Sequence, residues 1–412
     1  MCDIYGALFS AASSAVSEVF YRAQRANSEP KMPEKPGGLT KAELERYSRQ
    51  LVLPELGEVG QLRLKRSSVI IIGAGGLGIP ASIYLAAAGV GRIGIVDNDV
   101  VEKSNLHRQT LYSEDDVGTA KALVIERELR KVNPHVSIES HETRLDSTNA
   151  LEILREYDIV VDCTDNFPAR YLINDSCVLL RKPDVYASVF RFDGQASVFD
   201  AQYGPCYRCL FPEPPPPDTV QDCAVAGVLG VLPGILGSIQ AAQTINLIVG
   251  TGDSLIGRLL LFNATDMAFN EVRIGRNPDC PICGKKPTIT KLIDYEEFCR
   301  GGRVEKPVEE MTVRALKGRL DTGSKILLLD VREPFEYAFC RIEGSLLVPI
   351  GELERRVGEL DPNLETVVYC HTGVRSARAV NLLKSRGFKR AINLKGGIDA
   401  WAREVDPKVV RY

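Results

Sequence analysis

The sequence predicts two α/β domains, a larger one built on a doubly wound parallel sheet and a smaller one that follows it. Residues 67–99 contain a β-branched apolar run, a glycine turn, an alanine-rich helical stretch and a second apolar run, as a βαβ unit requires. Strand-like and helical patterns keep alternating to about residue 290. A second, shorter alternation begins near residue 308.

Each segment of the chain is assigned from its own sequence pattern. Residues 1–38 end in a stretch rich in proline, glycine, lysine and glutamate, which predicts a mobile extension. The larger domain is predicted over 39–292, where strands at 136–141 and 157–165 follow a helix at 120–132.

Residues 293–307 are predicted to be a linker, and the smaller domain is predicted over 308–412. In the smaller domain, apolar runs at 325–333 and 366–370 predict strands. Residues 376–387 have the pattern of a helix.

Composition narrows the class of protein. The net charge of −3 over 412 residues argues against a nucleic acid or an anionic membrane as partner. No apolar run is expected to reach the roughly 18–20 residues of a membrane span, and no signal peptide is evident. Eleven cysteines, two pairs of them spaced C-x2-C, favour metal and thiol chemistry in a reducing compartment over a disulfide framework. A cytoplasmic protein is expected.

The glycine turn indicates a nucleotide site. Gly73, Gly75 and Gly78 form G-x-G-x-x-G directly after a strand, where backbone N–H groups can approach a phosphate at a helix N-terminus. Asp97 ends the next strand, where a ribose-hydroxyl acceptor is expected. This pattern alone fits any dinucleotide enzyme.

The polar residues that follow favour ATP with Mg²⁺ over a nicotinamide cofactor. The run 104–109 supplies Arg108, Lys121 supplies a second cation, and Asp165 and Asn166 follow a strand at the carboxyl edge of the sheet. Cations suit a nucleotide phosphorus under attack. A NAD-dependent oxidoreductase would leave them unused, and no hydride-transfer constellation is evident. The other alternative is that these are solvated surface residues.

Four of the cysteines have the spacing of a metal site. Cys206 and Cys209 form one C-x2-C pair, and Cys280 and Cys283 form another. Four thiolates in two such pairs predict a tetrahedral structural Zn²⁺ that joins distant segments. A thioredoxin-like redox pair is the alternative, but neither pair opens a helix after a strand of that type.

Two other cysteines are candidates for thiol chemistry. Cys223 follows a proline-rich stretch and is either a thiol on a mobile crossover or a small buried residue. Cys370 ends a strand, and the loop after it can form an anion-binding nest that holds a persulfide, with Arg375 adding positive charge. A buried structural cysteine is the alternative for Cys370. His371 is expected to be an exposed loop residue and not a base.

Residues 40–290 resemble the ubiquitin-activating-enzyme-like adenylyltransferases that act on molybdopterin synthase and the thiamine-pathway sulfur carrier. The segments RYSRQLVLPELGEVGQ, GAGGLG, DNDVVEKSNLHRQ, AKA and CTDNF and the two C-x2-C pairs carry this resemblance. It implies a Rossmann-like fold, a structural zinc, and a role for Cys223 in a thioester or acyl disulfide with the carrier tail. Arg49 would reach the ATP of the other subunit in a homodimer. The residues that the resemblance implies for ATP and Mg²⁺ are Gly73, Gly75, Gly76, Gly78, Asp97, Ser104, Asn105, Leu106, His107, Arg108, Gln109, Lys121, Asp165 and Asn166.

The smaller domain resembles a rhodanese-type sulfurtransferase through LLLDVREPFEY, the loop after Cys370 and GGIDAWARE. Asp330 and Arg332 match family positions near the active loop. Together, the two domains resemble a family that adenylates the C-terminal glycine of ubiquitin-like sulfur carriers ending in Gly-Gly. Persulfide sulfur, supplied by a cysteine desulfurase or another donor, then gives a thiocarboxylate for molybdenum cofactor biosynthesis and tRNA 2-thiolation. The alternative from another class is a non-catalytic scaffold that binds ubiquitin-like proteins.

Overall fold

The computed structural model describes residues 38–215, 227–300 and 308–411. The predicted mobile extension, apart from Gly38, and Cys223 lie outside these ranges. A short unit ends at Arg46 and contains helix α1 (Lys41–Arg46). The Thr40 backbone N–H donates to the Glu43 carboxylate and the Glu43 N–H donates to the Thr40 hydroxyl, which caps the start of this helix.

The remaining residues up to about 300 form an eight-stranded sheet. Its order is β3-β2-β1-β4-β5-β6-β7-β8. The first five strands pair in parallel, as predicted, but the last three pair antiparallel. The turn after β5 explains the change, because two residues can join only antiparallel strands. The strands are β1 (Ser68–Ile72), β2 (Arg92–Val96), β3 (Ser137–His141), β4 (Ile159–Asp162), β5 (Asp184–Phe190), β6 (Asp193–Phe199), β7 (Arg258–Asn263) and β8 (Ala268–Arg273).

Helices cover both faces of this sheet. Successive residues of β1 point to opposite faces, so Ile71 packs in one apolar core with Leu85 while Ile70 packs in another with Ile173. This arrangement confirms the doubly wound α/β prediction. The helices are α2 (Ser48–Leu51), α3 (Gly57–Arg66), α4 (Gly78–Ala88), α5 (Lys121–Val132), α6 (Ala150–Arg155), α7 (Phe167–Leu180), α8 (Tyr207–Leu210), α9 (Val231–Val249) and α10 (Tyr295–Arg300).

Helix α9 corrects one expectation. It has 19 residues and is the one described helix that is long and apolar enough to cross a membrane. In the structure it packs against α4 and strands β5 and β6. The Gln240 side-chain amide donates to the carbonyls of Asp162 and Val185, at 2.7 and 2.9 Å. These contacts account for its apolar composition as that of a core helix.

The second sheet has five parallel strands in the order β11-β10-β12-β13-β9. Helices pack on both of its faces, so the smaller α/β domain is confirmed. Its strands are β9 (Glu310–Met311), β10 (Ile326–Asp330), β11 (Leu346–Leu347), β12 (Glu365–Tyr369) and β13 (Ala391–Leu394). Its helices are α11 (Val313–Asp321), α12 (Pro334–Phe339), α13 (Ile350–Arg356), α14 (Val374–Ser385) and α15 (Gly397–Glu404).

The stretch predicted as a linker, 293–307, begins as folded structure. Helix α10 lies in this stretch and packs against α7. Tyr295 is only 4% exposed and joins the same apolar core as Phe298. Two aromatic residues three positions apart share one face of a helix, which is why this stretch folds onto the larger domain. Residues 301–307 lie outside the described ranges.

Candidate functional site

The glycine loop between β1 and α4 is shaped by close backbone contacts. Gly73 has φ +101°, and an added Cβ there would lie 2.8 Å from the Cys163 carbonyl oxygen. A Cβ on Gly78 would lie 1.9 Å from the Gly73 carbonyl oxygen. Gly75 meets only the Gln109 side-chain nitrogen, at 3.6 Å. The loop is therefore closed against the protein at Gly73 and Gly78 and open at Gly75.

A cavity of about 1230 Å³ lies in front of this loop at the carboxyl ends of the strands. Three residues predicted for the nucleotide site do not line it. Gly78 shapes the loop from within α4, Leu106 packs its side chain against the apolar core, and Arg49 is exposed on α2. The predicted residues that do line the cavity are Gly73, Gly75, Gly76, Asp97, Ser104, Asn105, His107, Arg108, Gln109, Lys121, Asp165 and Asn166.

Asp97 fastens the glycine loop to the end of β2. One carboxylate oxygen accepts the Ala74 N–H and the other accepts the Asp99 N–H, both at 2.7 Å. Burial raises the pKa of the Asp97 carboxyl above its ordinary value, against the lowering effect of these hydrogen bonds and of nearby Lys121. Asp97 also lines the cavity, and a carboxylate can accept further hydrogen bonds there from a hydroxyl.

Lys121 opens helix α5 with its side chain almost buried. Its ammonium lies 3.0 Å from the Asp99 carboxylate, and the two side chains are 8% and 63% exposed. Both residues line the cavity. The sequence-based prediction missed Asp99, although its position two residues after Asp97 at a strand end was a usable signal.

Residues 104–109 form a compact turn in which polar side chains converge. The Arg108 guanidinium and the His107 ring Nδ1 both lie 3.0 Å from the Ser104 carbonyl oxygen. Asn105 accepts the Glu102 N–H at 3.3 Å. Gln109 is buried, and its side-chain oxygen has no hydrogen-bond partner in the part of the chain that the structure describes. An orphaned buried acceptor in a cavity wall is a position at which a bound ligand donates.

Asp165 is exposed at the cavity edge, three residues beyond the end of β4. Its neighbour Asn166 caps α7 by accepting the Ala169 N–H at 3.0 Å. The Asn166 side-chain amide lies 3.4 Å from an Asp165 carboxylate oxygen. The cap holds the backbone of this turn, and the Asp165 carboxylate is left facing the cavity as a potential cation ligand.

The two C-x2-C pairs meet in space. All four sulfurs lie within 4.8 Å of one another, and the Cys206–Cys280 and Cys209–Cys283 pairs are 3.5 and 3.3 Å apart. Tetrahedral zinc with Zn–S bonds of about 2.3 Å needs sulfurs about 3.8 Å apart. The cluster therefore fits a Cys₄ metal site that ties α8 to a segment some 70 residues later, as the spacing predicts.

Cys370 lies at the end of β12 and is 1% exposed. Its sulfur accepts the Gly373 N–H at 3.1 Å and lies 3.4 Å from the Ser376 hydroxyl. The Ile398 N–H donates to the Cys370 carbonyl and the Asp399 N–H to that of His371, so the start of α15 holds these carbonyls away from the loop. Cys370 is thus buried, and its sulfur is in contact with one backbone N–H and one hydroxyl.

The charged residues near this loop are already paired. Arg375 forms two hydrogen bonds of 2.7 Å with Glu336, which is buried and was not anticipated. Asp330 and Arg332 are fully buried and pair with each other at 2.6 Å, and Arg332 also donates to the Cys340 carbonyl. Asp330 and Arg332 therefore organise the core beside the loop and are not presented at its mouth.

His371 corrects a second expectation. It is half-buried, and it lines the same cavity as the nucleotide-site residues, together with Phe335. Burial lowers the pKa of the His371 imidazole below its ordinary value, against the raising effect of Asp399 and Glu336. The neutral ring therefore predominates at pH 7, in a wall of the cavity and not on an open loop.

Comparison with known proteins matches both domains. Residues 47–282 match the ThiF family and residues 312–404 match the rhodanese-like domain. The adenylyltransferase and sulfurtransferase MOCS3 of Culex quinquefasciatus is 44% identical over 91% of this chain and 90% of its own length. The probable adenylyltransferase/sulfurtransferase MoeZ of Mycobacterium tuberculosis is also 44% identical, over 93% and 99%.

Among solved structures, the crystal structure of E. coli MccB with ATP matches the chain with a TM-score of 0.53 and 27% identity. The match covers 60% of this chain and 77% of MccB. The relatives span both domains in the observed order, whereas MccB matches only part of the chain. The chain therefore belongs to the family of adenylyltransferase and sulfurtransferase enzymes that join a ThiF-family domain to a rhodanese-like domain.

Proposed function

We propose that the cavity binds ATP with Mg²⁺ and that the enzyme adenylates the C-terminal glycine of a ubiquitin-like sulfur carrier ending in Gly-Gly. The observation that carries the proposal is the convergence of an open glycine loop, a nearly buried lysine, an orphaned glutamine oxygen and an exposed aspartate on one cavity. Each of these suits a different part of a nucleoside triphosphate.

Each group of residues in the cavity would contact a different part of the bound nucleotide. The glycine loop and the start of α4 offer N–H groups to phosphate oxygens, and Asp97 accepts a ribose hydroxyl. Lys121 and Arg108 supply positive charge where it accumulates during attack at phosphorus. Asp165 would hold Mg²⁺, whose chemistry is to neutralise the phosphate oxygens. In a homodimer, Arg49 would reach the nucleotide of the partner subunit.

The first reaction is an in-line displacement. A carboxylate oxygen of the carrier's terminal glycine attacks the α-phosphorus of ATP, a C–O–P bond forms, and the bond to the β-phosphate oxygen breaks. Pyrophosphate leaves and an acyl adenylate remains. The protein contributes positioning and charge stabilisation, and Asp165 acts as a metal ligand and not as a general base.

The second reaction transfers sulfur. The terminal sulfur of a Cys370 persulfide attacks the acyl carbonyl, AMP leaves, and an acyl disulfide joins the carrier to Cys370. The Cys223 thiolate then attacks the Cys370 sulfur, which releases the carrier thiocarboxylate and leaves a disulfide for an external thiol to reduce. The Cys223 role rests on the family resemblance, since this residue lies outside the described ranges.

The proposed chemistry also implies a sulfur donor, a use for the product and a cellular compartment for the enzyme. A cysteine desulfurase or another persulfide donor would load Cys370, and the thiocarboxylate would serve molybdenum cofactor biosynthesis, tRNA 2-thiolation, or both. The setting would be the reducing cytoplasm, which keeps eleven cysteines available. Zinc bound by Cys206, Cys209, Cys280 and Cys283 would be structural, because four thiolates leave no open position for a substrate.

A non-catalytic scaffold for ubiquitin-like proteins is not favoured. A scaffold has no use for Lys121 and Gln109 on a cavity wall or for a sulfur held by a backbone N–H and a hydroxyl. Both features require a reacting ligand to be useful.

The test is ATP–pyrophosphate exchange with and without a carrier ending in Gly-Gly. Wild-type protein should exchange only when the carrier is present. Asp165→Ala should lower exchange by about 10²–10³-fold, because it removes a proposed ligand of the Mg²⁺ that would neutralise the reacting phosphates. Asp115→Ala, an exposed aspartate of the same domain that does not line the cavity, is the matched control and should exchange normally. Wild-type exchange in a folded Asp165→Ala protein would contradict the assignment.

A further inference from the structure

The zinc site and the nucleotide cavity are joined by a buried set of contacts that the reaction scheme does not use. We infer that Arg208, between the zinc-site residues Cys206 and Cys209, is a positioning residue that holds helix α10 in place as a wall of the cavity. The inference rests on the proposed function in one respect, that the cavity receives the carrier tail. The metal site would then set the shape of the substrate site from a distance.

Arg208 is fixed at its own end by the metal-site loop. Its side chain is 1% exposed, and its guanidinium donates two hydrogen bonds to the Asp175 carboxylate of α7, at 2.7 and 2.9 Å. Asn174 also donates to that carboxylate, at 2.9 Å. An arginine fork accepts only one orientation of a carboxylate, so fixing the loop backbone fixes this pair.

Helix α10 binds to the same ion pair through two side chains. The Tyr295 hydroxyl donates to the Asp175 carboxylate at 2.8 Å. The Phe298 ring lies 4.5 Å from the Arg208 guanidinium, and the Tyr171 ring of α7 lies 4.7 Å from it. The position of α10 is therefore determined by a charge pair that the cysteine loop presents.

The opposite side of this segment faces the cavity. Ile293, Asp294, Tyr295 and Glu296 all line it. The Ser147 hydroxyl donates to the Ile293 carbonyl at 2.5 Å, and Arg144 pairs with Glu296. Ser147 and Arg144 belong to the loop after β3, which lines the cavity as well. A continuous set of contacts thus runs from the metal-site sulfurs to the wall of the cavity.

The contacts favour positioning over stability as the purpose of the pair. A buried ion pair gives little net stability compared with apolar residues of the same volume, because both charges lose their hydration. The pair does fix the orientation of the groups bound to it, because both the Arg208 guanidinium and the Tyr295 hydroxyl must be aligned with the Asp175 carboxylate. Helix α10 is also the last described element before the second domain begins at 308.

Hydrogen–deuterium exchange of the full-length zinc-loaded protein, without nucleotide or carrier, tests the inference. Tyr295→Phe removes one hydroxyl and keeps the ring, so zinc content should be unchanged. Amides of residues 295–300 should exchange roughly tenfold faster, because a hydrogen bond to a charged group is lost. Peptides covering β1 and the glycine loop should be unaffected.

The matched control is Tyr186→Phe. Tyr186 lies in the same apolar core, and its hydroxyl accepts a partly buried hydrogen bond from the Gln195 side-chain amide at 2.8 Å. It has no described contact with α10, so residues 295–300 should exchange at the wild-type rate. Arg208→Lys keeps the charge but loses the fork, and it should accelerate exchange in α10 more than Tyr295→Phe does. If Arg208→Lys fails to fold, the two tyrosine variants still decide the matter.

A functional readout follows. In Tyr295→Phe, the KM for the carrier in pyrophosphate exchange should rise several-fold with kcat kept, as expected when uniform binding is lost. Removing zinc from wild-type protein with a chelator should accelerate α10 exchange as the variants do. Unchanged exchange of residues 295–300 in Tyr295→Phe and after zinc removal would overturn the inference. Since exchange is measured without substrates, this outcome is distinct from an absence of adenylation, which would reject the proposed function instead.

Discussion

Two loops of this enzyme each connect a parallel strand to a helix and contain a glycine with positive φ, but they differ in what fills them. One follows β1 and leads into α4, and the other follows β12 and leads into α14. Each strand lies between two parallel neighbours, and each loop contains a glycine with a similar positive φ, +101° at Gly73 and +99° at Gly373. Both loops therefore lie at the carboxyl edge of a sheet, where backbone N–H groups can be offered to an anion.

What differs is the occupant of the loop. Around Gly75 the first loop is open, and the nearest group to an added Cβ is 3.6 Å away. The second loop closes on the sulfur of Cys370, which accepts the Gly373 N–H and is 1% exposed. A loop between a strand and a helix thus lines an open cavity in the first domain and encloses the protein's own sulfur in the second. The comparison indicates that side-chain filling decides whether such a loop is open to a ligand or closed on the protein's own atoms.

The largest effect should come from emptying the closed loop. Cys370→Ala removes the only atom in that loop that can carry sulfur, so thiocarboxylate formation should fall to background. Carrier-dependent pyrophosphate exchange should stay near the wild-type rate, because the open loop is untouched. Intact mass of the carrier, with sulfide excluded, should show no oxygen-to-sulfur gain. Cys340→Ala is the control and should transfer sulfur, and full thiocarboxylate yield from Cys370→Ala would show that the loop is not the sulfur source.

A smaller effect should come from loss of the metal site, which should lower the stability of the larger domain and leave that of the smaller domain unchanged. A structural zinc contributes folding free energy directly, so Cys206→Ser should destabilise the larger domain by several kcal/mol, of the order of ~3–5. The described residues of the smaller domain contain no comparable cluster of metal ligands. It contains the one tryptophan, Trp401, which is buried. Thermal unfolding followed by circular dichroism should therefore show an earlier transition in Cys206→Ser.

Tryptophan fluorescence is the internal control for that experiment, since it reports only on the smaller domain. Its transition should be unchanged in Cys206→Ser and on treatment of wild-type protein with a chelator. Metal analysis should find about one zinc per chain in the wild type. Protein purified without zinc but unfolding normally would reject a structural metal.

The fold was predictable because its signals are local. The glycine turn after an apolar run and the alternation of strands with helices predicted the parallel strands of both sheets, and the C-x2-C spacing predicted the cysteine cluster. The antiparallel edge of β6, β7 and β8 was not predicted, since the pairing partner of a strand is decided by contacts distant in sequence. Helix α10 was assigned to a linker because its contacts, which include Asp175 on α7 and Arg208, are made with residues that are distant from it in the chain.

The sequence placed most of the predicted nucleotide-site residues on what the structure shows to be one cavity, but it did not indicate how side chains pair with one another. Leu106 lies inside the polar run 104–109, yet its side chain turns to the core, and no spacing rule distinguishes it from its neighbours. Arg375 was read as an isolated positive charge because its partner Glu336 comes 39 residues earlier. Such pairings depend on how α12 packs against the loop, which the sequence does not state locally.

The smallest effect is expected when the same substitution, glycine to alanine, is made in the open loop and in the closed loop and the stabilities of the two domains are compared. Gly75→Ala places a methyl group where the added Cβ meets only Gln109 at 3.6 Å, and Gly75 has no positive φ, so stability should change by less than about 0.5 kcal/mol. The methyl group would stand where a phosphate approaches the backbone, and the KM for ATP should rise about tenfold.

Gly373→Ala must hold φ near +99° with its Cβ 3.2 Å from the Gly396 nitrogen. The substitution should therefore destabilise the smaller domain by about 1–3 kcal/mol, as measured by Trp401 fluorescence. Its pyrophosphate exchange should remain normal. Equal losses of stability in the two variants would mean that the first loop is as closed as the second, and the comparison would fail.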